Sequence, residues 1–164
     1  MFRDEHEDQM TVKVGVYCRV ACVEPGQEGV AVQAQAAAAR RWCEHHLAGR
    51  PHQIELFADE GYAGTLGWQP RVAKRKYRPG LACLVDHLRT GEIDVLVVSS
   101  QNRLFRSMPL WVKFATEVLG RSRVRLVSLR EGVDATAAEV VAQTAFPMQV
   151  ARAAAAVVTA ARAD

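Results

Sequence analysis

The sequence predicts an α/β domain of three layers, with a mostly parallel central sheet of four to five strands and a C-terminal helix. Strand-like and helix-like patterns alternate along the chain, which favours parallel strands joined by crossover helices. One run, IDVLVV at Ile93–Val98, is almost continuously apolar, as is typical of a strand buried on both faces of such a sheet. With 164 residues, 49% of them hydrophobic, the chain is large enough for one core.

The first half of the chain contains two predicted strands and one helix. TVKVGVYC at Thr11–Cys18 alternates apolar and polar positions and is rich in β-branched residues, so it predicts the first strand. Pro and Gly residues within Glu24–Gly29 predict a loop, and the Ala-rich Val30–Leu47 predicts a helix. Gln53–Phe57 predicts a short second strand, and the Gly-rich Asp59–Thr65 predicts a turn after it.

The second half begins with a polar, basic connector at Gly67–Tyr77. Pro at the first helical position and Gly after the last predict a helix over Pro79–Thr90 that stops at Gly91. Downstream of the apolar strand, the pattern predicts a helix at Pro109–Leu119 and a strand at Val124–Leu129.

The predicted organisation has three parts: a polar tail over 1–10, an α/β domain over 11–134 and a helical segment over 135–164. The last part is Ala-rich, with Pro147 expected to kink it, and its small residues suit helix packing in self-association. Four acidic residues in the tail argue against a secretory signal, and no apolar run is long enough to span a membrane. The expected location is cytoplasmic, with no membrane partner.

The sequence gives no support for a metal or a cofactor. Cys18 and Cys22, with His45 and His46 further along, match no zinc-site spacing, so reduced thiols and solvated histidines are expected instead. A Walker loop and GxGxxG are both absent, which removes the usual signals for nucleotide binding.

Basic residues gather at the carboxyl ends of predicted strands. Between Trp68 and Arg106 there are eight Lys or Arg against three Asp or Glu, a weak indication of a nucleic-acid partner. The parallel-sheet prediction brings the ends of neighbouring strands together. Four arginines are then expected to converge: Arg19, Arg78, Arg103 and Arg106. Guanidinium groups repel one another unless an anion or carboxylates lie between them, so the cluster predicts phosphate binding.

Five segments, in order, carry a recognisable pattern. They are VYCRVA at Val16–Ala21, the helix residues Gln35, Arg40, Trp42 and Glu44, DEGYAGT at Asp59–Thr65, RPGL starting at Arg78, and EIDVLVVSSQNRLFR at Glu92–Arg106. Together they resemble the catalytic domain of serine site-specific recombinases, the resolvase and invertase family, over about Val12 to Asp134.

That resemblance implies a domain that associates as a dimer or tetramer, cuts DNA through a serine phosphodiester and rejoins it. In such chemistry the serine attacks the phosphate in line while arginines neutralise its oxygens. By motif match, those arginines are Arg19, Arg78, Arg103 and Arg106, and Gln35 supplies a supporting polar contact.

Two departures from the family pattern affect the cutting step. Ala21 stands where the serine nucleophile belongs, and Asn102 stands where the family has an aspartate. A methyl group forms no phosphoester, and an amide exchanges no proton at neutral pH. The resulting hypothesis is an inactive recombinase-like domain that binds DNA phosphate weakly, or associates with itself or with an active recombinase.

Two alternatives stay open. One is an active recombinase that uses Cys22 or a nearby serine, namely Ser99, Ser100 or Ser107. In an extended segment neighbouring side chains point to opposite sides, which counts against Cys22. The other is a purely structural interaction domain that binds no DNA.

Overall fold

The computed structural model describes residues 10–70 and 76–144. The strands are β1 (Val12–Val20), β2 (His52–Glu60), β3 (Val95–Val98), β4 (Arg125–Ser128) and β5 (Val133–Thr136). The helices are α1 (Val30–His46), α2 (Pro79–Thr90), α3 (Gln101–Leu104), α4 (Met108–Glu117) and α5, whose described part covers 137–144; a 3-10 turn spans Leu119–Arg121.

The five strands form one sheet in the order β2-β1-β3-β4-β5. The first four strands run parallel, and β5 pairs antiparallel with β4. Helix α1 packs on one face through Val32, Ala36, Ala39 and Cys43, against alternate residues of β1 and β3. Helices α2 and α4 pack on the other face. The predicted three-layer α/β fold with a mostly parallel sheet is therefore confirmed.

Strand β2 is longer than the sequence suggested. It continues through Asp59 and Glu60, which the sequence pattern had assigned to a turn. Its parallel register with β1 runs from Val12 opposite His52 to Val20 opposite Glu60, so backbone pairing extends the strand past its apolar residues. Asp59 is consequently a buried strand residue, 1% exposed.

The predicted count of four to five strands allowed for a fifth strand, but the sequence pattern did not locate β5. Its sequence, VDAT, is short and runs into an Ala-rich stretch that looks helical throughout. Backbone pairing with β4, supported by the ion pair between Arg125 and Asp134, holds the segment extended before α5 begins.

Several sequence-based expectations lie outside the described residues. They concern most of the N-terminal tail (1–9), part of the basic connector (71–75), and the end of the C-terminal segment with Pro147 (145–164). Among the residues that are described, no helix is long and apolar enough to cross a membrane. The same residues contain no group of three or more His, Cys, Asp or Glu placed to hold a metal ion.

Candidate functional site

The candidate site lies where β1, β2 and β3 end. Arg19 near the end of β1 is opposite Asp59 of β2, and Tyr17 is opposite Val98 of β3. Helices α2 and α3 start beside these strand ends, and each brings an arginine with it: Arg78 is the N-cap of α2 and Arg103 belongs to α3. The predicted convergence of strand ends at one sheet edge is confirmed.

Arg19 is fully buried and every nitrogen of its guanidinium has a partner. Nε donates to the carbonyl of Arg103 (3.1 Å), Nη1 to that of Tyr62 (2.9 Å) and Nη2 to that of Asn102 (3.1 Å). Burial lowers the pKa of Arg19, and the charges of Arg78, Arg106 and Arg103 lower this pKa further. Arg19 therefore ties α3 and the turn after β2 to the end of β1.

Arg78 is also fully buried, and burial lowers its pKa. Nε donates to the carbonyl of Leu66 (2.9 Å), and Nη1 donates to the hydroxyl of Tyr17 and the carbonyl of Arg103 (both 3.2 Å). Its guanidinium carbon lies 4.7 Å from the ring centre of Phe105, a cation–π contact. The carbonyl of Arg103 thus accepts from both buried arginines.

Arg103 and Arg106 are nearer to solvent. Arg103 is half-buried and donates through Nη1 to the carbonyl of Arg19 (3.2 Å), whereas Arg106 is exposed. The backbone N–H of Arg106 donates to Gly64, and a Cβ added to Gly64 would lie 2.9 Å from Cγ of Arg106 and 3.0 Å from Nη2 of Arg19. Glycine at position 64 is what lets these two side chains approach the same turn.

Among the described residues, the cluster contains hydrogen-bond donors without partners. Its positive charge is opposed in part by the nearby carboxylate of Asp59, which offsets some of the lowering of the Arg78 pKa by burial. Within 10–70 and 76–144, Nη2 of Arg78 and Nε of Arg103 are buried without a hydrogen-bond partner. Over the same ranges, none of the four arginines forms an ion pair with a carboxylate. An unpartnered buried donor is costly, and so is the mutual repulsion of guanidinium groups. An anion at this place would relieve both.

Asp59 is a site residue that the sequence analysis did not single out. Its carboxylate accepts from the hydroxyl of Tyr17 (2.8 Å) and from the backbone N–H groups of Gly80 (2.8 Å) and Leu81 (2.9 Å). Asp59, from strand β2, therefore caps the start of α2. The Tyr17 hydroxyl that donates to Asp59 also accepts a hydrogen bond from Arg78. The sequence did contain one signal for this role. The start of α2, Arg78-Pro79-Gly80, has no side chain that can cap the helix, so a residue from another element has to supply the cap.

Gln35 of α1 is buried and pairs with the backbone of Arg19 in both directions. Its Oε1 accepts from the N–H of Arg19 and its Nε2 donates to the carbonyl, each at 3.2 Å. Ser99 donates to the same Oε1 at 3.4 Å. The polar contact that the sequence predicted for Gln35 falls on the protein backbone, where it fixes the end of β1 against α1.

The remaining candidates stand around the cluster. Ala21 and Cys22 are exposed immediately beyond β1, and the side chain of Asn102 is exposed on α3. Ser100 is buried, at 5% exposure, while Ser107 is half-buried at the start of α4. The two positions that the family resemblance assigns to the nucleophile and the aspartate are therefore both exposed.

Comparisons with known proteins agree on the family. Residues 14–158 match the family model described as the resolvase N-terminal domain. The catalytic domain of TP901-1 integrase is similar in structure, with a TM-score of 0.66 at 20% identity, covering 85% of this chain and 96% of that one.

Two further solved structures are similar. A resolvase family site-specific recombinase from Streptococcus pneumoniae has a TM-score of 0.61 at 14% identity, covering 91% of this chain and 93% of its own. The catalytic domain of ISC1926 TnpA, described as an IS607-like serine recombinase, has a TM-score of 0.53 at 16% identity. The match covers 72% of this chain and 67% of that one. A search of curated proteins found no match.

Proposed function

The chain belongs to the resolvase family of serine recombinases, and from that premise we propose that it is a catalytically inactive member that binds DNA phosphate through its arginine cluster. The observation that carries the proposal is the pairing of Ala21, at the nucleophile position, with four arginines that form no direct ion pair with a carboxylate among the described residues.

The loss of cutting follows from the chemistry of the replaced groups. A phosphoserine intermediate needs a hydroxyl oxygen to attack phosphorus, and the methyl group of Ala21 has no lone pair to donate. Asn102 cannot take up or release a proton as a carboxylate can. Both positions are exposed beside the cluster, so these substitutions change the reacting groups and leave the buried framework in place.

The retained binding rests mainly on two arginines. Arg106 is exposed and Arg103 is half-buried, so both side chains reach the surface where a phosphate can bind. Arg78 adds a buried positive charge and an unpartnered Nη2 behind them. Arg19 contributes charge and support, since each of its three guanidinium nitrogens already donates to a carbonyl group.

A second candidate function is strand cutting by another nucleophile. Cys22 is exposed next to Ala21, which keeps it in consideration. Ser99 and Ser100 are weaker choices, because Ser99 donates to Gln35 and Ser100 is buried. A third candidate, a purely structural interaction domain, predicts no salt-dependent binding to DNA.

Trapping a covalent protein–DNA adduct distinguishes an inactive domain from one that cuts DNA with another nucleophile. Supercoiled plasmid is incubated with the protein, quenched in detergent and analysed for nicks and for a protein–DNA adduct by mass spectrometry. We expect neither. An adduct at Cys22 that disappears in Cys22→Ala would establish the second candidate and remove the proposal of inactivity.

Salt dependence separates DNA binding from a structural role. Affinity for a short labelled duplex is measured between about 50 and about 200 mM salt. We expect weak binding that falls with salt, and a salt slope smaller by about 0.9 in Arg106→Gln, since one phosphate contact is lost. Arg123→Gln, which removes an exposed arginine before β4, is the matched control. Binding without salt dependence, or equal losses in both variants, contradicts the proposal.

A further inference from the structure

A cavity of about 350 Å³ lies beside the arginine cluster, between the loop at 65–69 and helix α4. We call it the α4 pocket. Its volume is within the range of small-ligand sites, roughly 300–1,000 Å³. The residues that matter for its chemistry are Thr65, Leu66, Lys76, Tyr77, Ser107 and Lys113.

The α4 pocket adjoins the arginine cluster, because residues of its wall are hydrogen-bonded to one cluster arginine and follow another directly in the chain. Arg78 donates from its backbone N–H to Gly67 (3.0 Å) and from Nε to Leu66 (2.9 Å), and both of these residues line the pocket. On the other side, Ser107 in the pocket wall directly follows Arg106 in the chain. A ligand that spans the two would pass from the exposed Arg106 into the pocket.

The pocket is positively charged. Lys76 and Lys113 line it, and no acidic residue does so among those described. Nζ of Lys113 donates to Gln69 (3.1 Å) and lies 5.8 Å from the ring centre of Trp68, and no carboxylate pairs with it in the described ranges. Within the described part of the chain, the recorded partners of Nζ are thus one amide oxygen and one aromatic ring.

The start of helix α4 adds to this charge. Ser107 is the N-cap of this ten-residue helix and makes no side-chain capping bond, and its first turn has no acidic residue. Backbone N–H groups at such a terminus favour an anion. The half-buried ring of Tyr77 and the side chain of Leu66 give the same pocket an apolar side.

We propose that the α4 pocket binds the nucleotide that neighbours the phosphate held by the arginine cluster on the same DNA strand. Its phosphate contacts Lys113 and the start of α4, and its sugar and base lie against Tyr77 and Leu66, as in aromatic single-strand sites. This inference rests on the proposed function, and it extends the DNA contact beyond the motif arginines to residues outside every motif.

The test compares four single substitutions in the whole chain, using a short labelled duplex and the same sequence as a single strand. Lys113→Gln removes one of the two positive charges of the pocket, and Lys113→Arg keeps it. Lys13→Gln removes an exposed lysine at the opposite end of β1 as the matched control, and Arg106→Gln reports on the arginine cluster. Circular dichroism melting confirms that each variant is folded.

We expect Lys113→Gln to weaken binding about fivefold and to reduce the salt slope by about 0.9, while Lys13→Gln and Lys113→Arg stay close to the parent protein. If Arg106→Gln weakens binding and Lys113→Gln behaves like Lys13→Gln, the pocket inference fails and the proposed function stands. If neither Arg106→Gln nor Lys113→Gln has an effect, both fail.

A final arm separates DNA from free nucleotides, which share the same chemistry. A deoxynucleoside monophosphate and inorganic phosphate are titrated alone and as competitors of the duplex. Competition only at high concentration supports a DNA strand as the ligand. Tight, Lys113-dependent binding of the free nucleotide with unchanged duplex affinity assigns the pocket to a small molecule and overturns the inference.

Discussion

The hydroxyl of Tyr17 donates a hydrogen bond to the carboxylate of Asp59 across 2.8 Å of buried interior. The same carboxylate receives the first free N–H groups of α2, and the same hydroxyl accepts from Arg78. Two strands, one helix terminus and one site arginine are thereby joined through two side chains. Asp59 thus helps to position Arg78 through Tyr17 and the start of α2, with no hydrogen bond recorded between the two charged side chains.

Asp59→Asn tests that capping role. An amide presents one oxygen and a donor NH₂ to three donors, so at least one buried N–H or O–H loses its partner. We expect the free energy of unfolding to fall by about 2 kcal/mol in urea titrations. Asp86→Asn, an exposed change in the same helix, should cost under about 0.5 kcal/mol. Equal costs in the two variants would refute the cap.

Gly80→Ala tests the contact between α2 and β2. A Cβ at this position would lie 2.4 Å from the backbone oxygen of Ala58, closer than any real contact allows. The expected cost is about 3 kcal/mol, despite the better helix propensity of alanine. In Gly67→Ala the nearest described atom to the added carbon belongs to Leu110, at 3.8 Å, so a small effect is expected there. A stable Gly80→Ala protein would mean that the helix can move outward.

Arg19→Gln and Arg106→Gln each remove one positive charge, but we expect them to differ strongly in their effect on stability. Arg19→Gln leaves the carbonyl groups of Tyr62 and Asn102 without this donor, and that of Arg103 with Arg78 alone, so it should lower the free energy of unfolding by about 3 kcal/mol. Arg106→Gln changes an exposed side chain and should alter stability by under about 0.5 kcal/mol. Differential scanning calorimetry compares them, and similar losses would contradict the division into supporting and exposed arginines.

The thiol of Cys18 gives stability a dependence on alkaline pH. Burial raises the pKa of Cys18 from its ordinary value of 9.0 to about 12. Below pH 9 both states keep the proton, and as pH rises toward 12 only the unfolded state releases it, so stability falls. At pH 10 this one group should account for about 1 kcal/mol.

Cys18→Ala should therefore flatten the decline measured in urea between pH 8 and 10. Val16→Ala, which removes buried volume from the same face of β1 without removing a thiol, should keep the parent slope. If the two variants show the same slope, Cys18 is not the titrating group.

The sequence predicted most completely those parts that local signals define. The bounds of α2 agree at both ends, because Pro79 favours the first turn and Gly91 ends the helix in a left-handed conformation with φ 74°. The convergence of the arginines also followed from sequence, since parallel strands place their carboxyl ends together.

Other parts depended on tertiary contacts that the sequence does not display. Asp59 resembled a turn residue, and only its pairing with β1 and the uncapped start of α2 make it a buried strand residue. The burial of Arg19 could not be predicted either. A sequence motif shows that an arginine is present, but it does not show whether carbonyl groups surround its side chain or solvent does. Strand β5 is held by β4, and its own sequence carries little strand preference.

The three carbonyl groups that hold Arg19 have a consequence for how such proteins change over generations. A recombinase domain that stopped cutting DNA would still need Arg19 in order to fold, whereas nothing in its fold would require Arg106. Retention of Arg19 in a lineage without the serine would therefore say only that the protein folds. Retention of Arg106, by contrast, would indicate that selection for phosphate binding has continued.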